Sequence, residues 1–281
     1  MSYERLSHVE HILKRPDTYV GSLQPESSSQ WTRVAEHFEP SVLSVSPGLV
    51  KIFDEILVNA IDQYSLHPKK ISKIDIVVNS EFVSVKNYGV PIPIKKHETE
   101  KGTDGKPIWI PELIFGHLLT SSNYNDDEQR VTGGRNGYGA KLANVFSKKF
   151  AIIIWDGKKS YKQIWTDNMS KVEPPEVLDG FTGNSKEAHV EVVFYPDFTR
   201  FGGPGDFVKV AERRAWDAAL WCPKAKINFN SKLIAVPSLE DYAKMHGLTA
   251  YGSTKLGMMN IVVGHSTSGG FQQCSWVNGT G

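Results

Sequence analysis

The sequence predicts an α+β fold, a two-layer sandwich in which helices pack on one face of a β-sheet. Two segments, 48–64 and 207–221, repeat apolar residues at three- and four-residue steps, as amphipathic helices do. Runs of strands separated by helices are typical of this class. The alternating apolar runs expected of strands lie at 73–86, which is predicted as a hairpin, and at 150–155, 160–165, 189–195 and 226–229.

The other elements are predicted in chain order from weaker signals. Residues 5–14 are predicted as a short helix, followed by an extended segment and a polar loop up to Pro47. Residues 94–107 carry many charges and two glycines and are predicted as a loop. The segment 111–121 is predicted as a helix.

The chain is predicted to hold one domain and part of another. The first is expected to span residues 1–236. From about Pro237 the pattern changes to a short helix and a strand pair at 255–263 and 270–277. Residues 237–281 are therefore predicted to be the beginning of a second, incomplete domain.

The helix at 48–64 carries a polar stripe. Glu55, Asn59 and Asp62 stand at positions i, i+4 and i+7, so they share one narrow side of the helix. A carboxylate there can orient and deprotonate a water, and an amide one turn away can offer an oxygen to Mg²⁺. An ordinary solvated helix face has the same spacing, so the stripe alone leaves both interpretations open.

A glycine-rich run, GGRNGYGAK at 133–141, leads into a predicted helix at 140–147. Free backbone N–H groups that run into a helix N-terminus favour phosphate, and Lys141 adds a full positive charge. The run is not a P-loop, because Ala140 separates the last glycine from the lysine and Leu142 replaces the hydroxyl residue. A glycine-rich surface turn is the alternative.

Asn87 ends the second strand of the predicted hairpin. Its amide donates and accepts hydrogen bonds at once, so it could bind the edge of an adenine ring. A turn asparagine before Gly89 is the competing interpretation.

Composition adds exclusions. The 281 residues are 40% hydrophobic and 22% charged, which is ordinary for a globular protein. A net charge of +1 gives no general electrostatic case for nucleic-acid binding. No apolar run approaches the roughly 20 residues that cross a bilayer, and no signal peptide is visible. Cys222 and Cys274 lack metal-ligand spacing and suit a reducing compartment.

Four long motifs occur in one order along the chain. In this order they resemble the GHKL ATPase superfamily, whose Bergerat fold is a two-layer α/β sandwich. Within that superfamily they are similar, almost letter for letter, to the N-terminal ATPase region of the eukaryotic-type (type IIA) DNA topoisomerases. The motifs are HILKRPDTYVGS at 11–22, KIFDEILVNA at 51–60, PELIFGHLLTSSNY at 111–124 and TGGRNGYGAK at 132–141, and the match continues in PDFTRFG at 196–202 and FQQCSWVN at 271–278.

The resemblance implies a role for each matching residue. Glu55 would be the general base of ATP hydrolysis, Asn59 would hold Mg²⁺ and a phosphate, and Asn87 would bind the adenine. The other implied nucleotide contacts are Tyr3 of an N-terminal strap, Ser121, Ser122 and Asn123 at the ribose and phosphate, and Gly134, Arg135, Asn136, Gly137, Tyr138, Gly139, Ala140 and Lys141 of a lid over the triphosphate.

The resemblance also implies a function. ATP and Mg²⁺ would close a homodimer behind a captured DNA duplex, in an intracellular compartment that holds DNA, nucleus or cytoplasm, with no membrane involved. In the family the second domain is a transducer, whose lysine in a Gln-Thr-Lys run reaches the γ-phosphate. The chain ends at Gly281, before that run and before any DNA-cleaving tyrosine. We therefore expect this piece to bind ATP far better than it hydrolyses it.

Two departures and two alternatives stand beside this resemblance. Pro91 stands where the family has a second glycine, and Tyr88 where it has a small polar residue. A MutL- or Hsp90-like ATPase shares the Glu and Asn helix but lacks an equivalent of the strap at 15–19. A nucleotide-dependent dimerisation module without turnover is the other alternative.

Overall fold

The computed structural model describes residues 6–102, 104–118, 138–180, 187–256 and 259–267, and also residues 269, 271 and 273–277. Within these ranges the α-helices are α1 (His8–Lys14), α2 (Pro47–Leu66), α3 (Ile110–Gly116), α4 (Gly139–Val145), α5 (Phe207–Trp221) and α6 (Leu239–Met245). The strands are β1 (Glu26–Val34), β2 (His37–Val45), β3 (Lys73–Val78), β4 (Val83–Tyr88), β5 (Lys96–Lys101), β6 (Pro107–Trp109), β7 (Ser147–Trp155), β8 (Lys159–Thr166), β9 (Lys171–Val172), β10 (Glu176–Asp179), β11 (His189–Pro196), β12 (Lys226–Phe229), β13 (Lys232–Ile234), β14 (Leu248–Leu256) and β15 (Met259–Ser266).

One large sheet organises the molecule. Its strand order is β10–β8–β7–β11–β4–β3–β12–β13, and β9 pairs with β8. Neighbouring strands are antiparallel except β12 and β3, which run parallel. Each of the hairpins β1–β2, β5–β6 and β14–β15 forms a two-stranded sheet.

The helices cover one face of this sheet. On β3, Ile74, Ile76 and Val78 are buried in the core, and they alternate with the less buried Asp75 and Val77. Alternate side chains of a strand point to opposite faces, so the apolar set lies under the helices and the polar set on the open face. The predicted two-layer α+β sandwich is confirmed.

Helix α2 lies at the centre of the helical layer. It begins after Ser46, whose side chain accepts a hydrogen bond from the backbone N–H of Leu49, and Pro47 occupies its first turn. Against it packs α5, through an edge-to-face contact between the rings of Phe53 and Phe207 with centroids 5.6 Å apart. The predictions for α2, α5 and the β3–β4 hairpin are confirmed.

Two hairpins were predicted as irregular chain. The extended segment and polar loop expected before Pro47 are in fact the β1–β2 hairpin. Its serine-rich first strand lacks an apolar alternation, and the hairpin is held instead by Phe38 and Leu43 of β2, which are buried in the core. The loop predicted at 94–107 likewise overlaps the short hairpin β5–β6, whose second strand runs on to Trp109.

Several predicted boundaries are wrong by a few residues. Helix α1 begins at His8, where Ser7 and Glu10 form a capping box. Helix α4 ends at Val145, and Ser147 already belongs to β7. Helix α3 covers Ile110–Gly116, and the end predicted for it at residue 121 falls outside the described residues.

The strand pair of the second predicted domain is out of place. The predicted strand 255–263 spans the end of β14 and the start of β15, so it combines parts of two antiparallel strands. The described residues of 270–277 form no strand. Side chains of this hairpin such as Leu256, Met259 and Val263 are largely exposed. No helix among the described residues is long and apolar enough to cross a membrane.

Gly89, just after β4, gives a test of this fold. Its φ is +120°, and a Cβ added there would overlap the backbone carbonyl of Lys70. We expect Gly89→Ala to lower the free energy of unfolding by about 3 kcal/mol, because strain and overlap add. Gly157 also has a positive φ, +95°, but lies in open space, so Gly157→Ala should cost only about 1 kcal/mol. Urea denaturation measures both, and equal losses would contradict the packing described here.

Candidate active site

Glu55 lies on the side of α2 that faces α4, with 21% of its side chain exposed. One turn earlier on the same helix, the Lys51 ammonium lies 2.5 Å from a carboxylate oxygen of Glu55. Pairs at i and i+4 meet on a helix surface, so this ion pair follows from the sequence spacing. The ion pair fixes the orientation of the Glu55 carboxylate.

The first residue of α4 touches the Glu55 carboxylate. A Cβ added to Gly139 would overlap that carboxylate group and come within 3.2 Å of the Glu55 Cβ. Only a hydrogen atom fits between the backbone of Gly139 and the acid. The end of the glycine-rich run and the polar stripe of α2 therefore meet at one place.

Lys141 stands two residues further along α4. Its side chain is only 2% exposed, and residues 140–145 are buried without interruption. Burial disfavours the charged form of an amine and lowers the pKa of Lys141 to about 8. A buried ammonium on the helix whose first residue touches Glu55 is suited to a negatively charged ligand.

Asn87 lies on β4, on the same face as the core residues Val83 and Val85. It is 6% exposed, and its amide nitrogen, Nδ2, has no hydrogen-bond partner among the described residues. A buried donor left unpaired costs about 1–3 kcal/mol. An unpaired donor on the helix-covered face of the sheet therefore indicates a binding position, where a bound polar group would supply the missing acceptor.

The other two residues of the stripe differ from each other. Asn59 is exposed, so its amide oxygen is available to a hard cation such as Mg²⁺. Asp62 is buried and has interaction partners of its own. Among the described residues, no group of three or more His, Cys, Asp and Glu side chains could hold a metal ion.

Of the predicted lid at 134–141, the structure describes the last four positions, and of the strap it describes 15–19 but not Tyr3. The aromatic ring of Tyr138 lies 6.1 Å from that of Tyr19, so the N-terminal segment touches the start of α4. Gly139, Ala140 and Lys141 belong to α4 itself. The predicted positions Tyr3, Ser121, Ser122, Asn123, Gly134, Arg135, Asn136 and Gly137 lie outside the described residues.

Sequence reasoning missed the charged residues on the other side of α2. Asp54 accepts a hydrogen bond from Arg214 of α5 at 2.8 Å, and Arg214 also donates to Asp217 at 3.0 Å. Burial raises the pKa of Asp54, and the charge of Arg214 opposes that rise. The Lys51 pair could have been found from its spacing, whereas the Arg214 contact joins residues 160 positions apart.

Comparisons with known proteins give a consistent result, although no protein-family model matches the chain. The chain is 43% identical over 253 residues to DNA topoisomerase 2 of Candida glabrata, and 43% identical over 255 residues to that of Saccharomyces cerevisiae. Each match covers 87% of this chain and 17% of the relative, so the chain spans about a sixth of the length of these curated relatives.

Solved structures agree with this match. The ATPase region of Saccharomyces cerevisiae topoisomerase II superposes with a TM-score of 0.82 at 38% identity, over 91% of this chain and 68% of that one. The ATPase and transducer domains of DNA topoisomerase II from Balamuthia mandrillaris superpose with a TM-score of 0.88 at 35% identity, over 99% of this chain and 72% of that one. The chain therefore belongs to the DNA topoisomerase II family, in which it corresponds to the ATPase region.

Proposed function

We propose that the chain binds ATP with Mg²⁺ and hydrolyses it, as the N-terminal gate of a type IIA DNA topoisomerase. The contact between Gly139 and the Glu55 carboxylate carries this proposal. It joins the candidate base on α2 to the start of α4, the helix that carries the buried Lys141. The similarity to proteins described as ATPase regions supports the same assignment.

Asn87 is assigned to the adenine. Its unpaired amide nitrogen is a donor, and the ring nitrogens of adenine are acceptors. Because the side chain is already desolvated, a bound base would satisfy it without a further dehydration cost. Pro91 and Tyr88 do not interrupt this strand, since β4 runs to Tyr88 and the Tyr88 hydroxyl donates to Asp75 at 3.0 Å on the other face.

Lys141 is assigned to the phosphates. A triphosphate beside the ammonium would favour its charged form and offset the desolvation that lowers its pKa. The ammonium would also stabilise the charge that develops on the transferring phosphoryl group.

Glu55 is assigned to the attacking water. Its carboxylate would take a proton from the water as the water oxygen bonds to the γ-phosphorus and the bond to the bridging oxygen breaks, which leaves ADP and phosphate. Lys51 would hold the carboxylate in position for this step.

The residues present fit Mg²⁺ as the accompanying ion. Magnesium in nucleotide sites takes few protein ligands and completes its shell with phosphate oxygens and waters. The exposed Asn59 offers one oxygen, one turn from Glu55. When bound, the ion would neutralise phosphate charge.

The activity of the whole protein is part of this proposal. We place an ATPase domain at residues 1–236 and the beginning of a transducer domain at 237–281. ATP binding would order the N-terminal strap and pair two subunits around a DNA duplex, in whichever compartment holds that DNA. The ring contact between Tyr19 and Tyr138 supports such coupling, since it joins the N-terminal segment to α4.

The first prediction concerns the base. Glu55→Gln should lower phosphate release at least about a hundredfold and leave nucleotide affinity within about twofold, because the amide keeps the shape but cannot take a proton. Phosphate release and equilibrium nucleotide binding are the two measurements. Glu81→Gln, in the exposed turn between β3 and β4, is the matched control. Turnover of Glu55→Gln at the full rate would show that another group is the base.

A second prediction separates Asn87 from a structural asparagine. Asn87→Val should not lower the free energy of unfolding, because it removes an unpaired buried amide, yet it should weaken ATP binding about tenfold or more. Asn228→Val on β12 is the control, because Asn228 donates to Asp75 at 2.7 Å. The control should lose about 1–3 kcal/mol of stability and keep ATP affinity. A destabilised Asn87→Val with normal ATP affinity would contradict the assignment.

A third prediction follows from the pKa of Lys141. In the free protein this amine loses its proton above about pH 8, whereas a bound triphosphate holds the proton on, so binding must take up a proton there. ATP affinity should therefore fall as pH rises above about 8, by up to about tenfold per pH unit. Titration calorimetry of the protein and of Lys141→Met tests this, with Lys149→Met on β7 as the control. An equal slope in Lys141→Met would assign the effect to another group.

A further inference from the structure

A second polar cluster lies where the β1–β2 hairpin packs on α5 and α6. Phe38 is at its centre: the ring of His246 stacks on it with centroids 4.7 Å apart, and the ring of Trp216 meets it edge-on at 5.9 Å. Two guanidinium groups lie over the same phenyl ring, Arg213 at 4.7 Å and Arg33 at 5.7 Å. We call these residues, with Tyr242, the arginine–aromatic cluster.

Arg213 uses part of its guanidinium inside this cluster. One terminal nitrogen, Nη1, donates to Asp217 and to the Tyr242 hydroxyl. The other, Nη2, lies 3.4 Å from Nε2 of His246. Its Nε–H group is buried and has no partner among the described residues.

His246 supplies another donor. Arginine can only donate, so Nε2 of His246 must accept from Arg213, and the ring proton stands on Nδ1. Burial, reinforced by the nearby charge of Arg213, lowers the pKa of His246 to about 4, so the ring is neutral at pH 7. The Nδ1–H group is buried and without a partner in the described part of the chain.

The unpaired groups of this cluster are all donors. Of the six buried side-chain nitrogen and oxygen atoms that lack a partner among the described residues, four belong here. A water accepts about two hydrogen bonds, so one water would leave donors unpaired. The four groups are Nη1 of Arg33, Nε of Arg213, Nε1 of Trp216 and Nδ1 of His246.

The charge of the cluster also favours a bound acceptor, in particular an anion. The carboxylate of Asp217 is already shared by Arg213 and Arg214. The Arg33 guanidinium stacks on the Trp216 ring at 4.6 Å, and no carboxylate among the described residues pairs with it. Arg33 is half-buried, and a cation partly withdrawn from water is stabilised by a nearby anion, so the cluster has one cation in excess.

We propose that the arginine–aromatic cluster binds a small oxyanion, a phosphate or a carboxylate. The anion would accept from the four unpaired donors and compensate the charge of Arg33. It would thereby join the β1–β2 hairpin to α5 and to the end of α6. This site is separate from the candidate active site at Glu55 and does not depend on the proposed ATPase activity.

Phosphate titration tests the proposal. Inorganic phosphate replaces chloride at constant ionic strength, and the melting temperature of the 281-residue chain is followed; acetate is titrated in the same way as the carboxylate source. The melting temperature should rise and saturate with at least one of the two anions, because a ligand that binds only the folded state stabilises it. Arg33→Gln should weaken the apparent anion affinity at least about tenfold, since it removes a charged hydrogen bond.

Matched variants separate this site from others. Trp216→Phe keeps the ring and removes only the N–H donor, so it should weaken anion binding about threefold to tenfold, and it serves equally if Arg33→Gln does not fold. Lys141→Met removes the cation of the candidate active site and should keep the response. A response absent from the unaltered chain, or unchanged in both cluster variants, would overturn the proposal, as would crystals grown in phosphate that show only waters at the four donors.

Discussion

The burial of α2 is the constraint on which the rest of the structure depends. Residues Leu49, Ile52, Phe53, Leu57 and Ile61 of this helix are completely buried. Each such side chain contributes about 1.5–3 kcal/mol, so any rotation of the helix about its axis would be costly. Glu55 of the polar stripe is therefore held facing α4, where Gly139 leaves room for its carboxylate.

Charge is buried on the other side of the same helix. Asp54 and Glu55 are consecutive, so their side chains leave α2 in directions about 100° apart. Glu55 faces Gly139 and Lys51, while Asp54 is held by Arg214 of α5. Removing one partner of a buried pair leaves an uncompensated charge and costs about 3–5 kcal/mol. The orientation of the candidate base is thus supported from both sides of α2.

Much of this arrangement could be predicted from the sequence, because its elements have strong local periodicity. Helices α2 and α5 and the β3–β4 hairpin follow from apolar spacing alone. The β1–β2 hairpin could not be predicted in this way, since its first strand is nearly all polar and its stability comes from Phe38 against α5 and α6. The hairpin β5–β6 is charged, and the residue pattern does not mark where β14 ends and β15 begins.

The candidate site shows the same division between local and distant contacts. The pairing of Lys51 with Glu55 is a matter of spacing along one helix. The contact of Gly139 with Glu55 joins two helices that are far apart in the sequence. The burial that lowers the pKa of Lys141 depends on all the elements packed around α4. The resemblance to a family supplied the roles of these residues, whereas their positions required coordinates.

The burial of α4 has a consequence for ligand choice. Ala140, Leu142, Ala143 and Val145 are all part of the core, so this helix cannot tilt without opening the interior. The backbone position of Lys141 is therefore fixed, and under its proposed role a ligand would have to approach its ammonium. Under the proposed roles, a fixed α4 would hold Lys141 and Asn87 in one relative arrangement, and nucleotides would then be distinguished by the length of their phosphate chain.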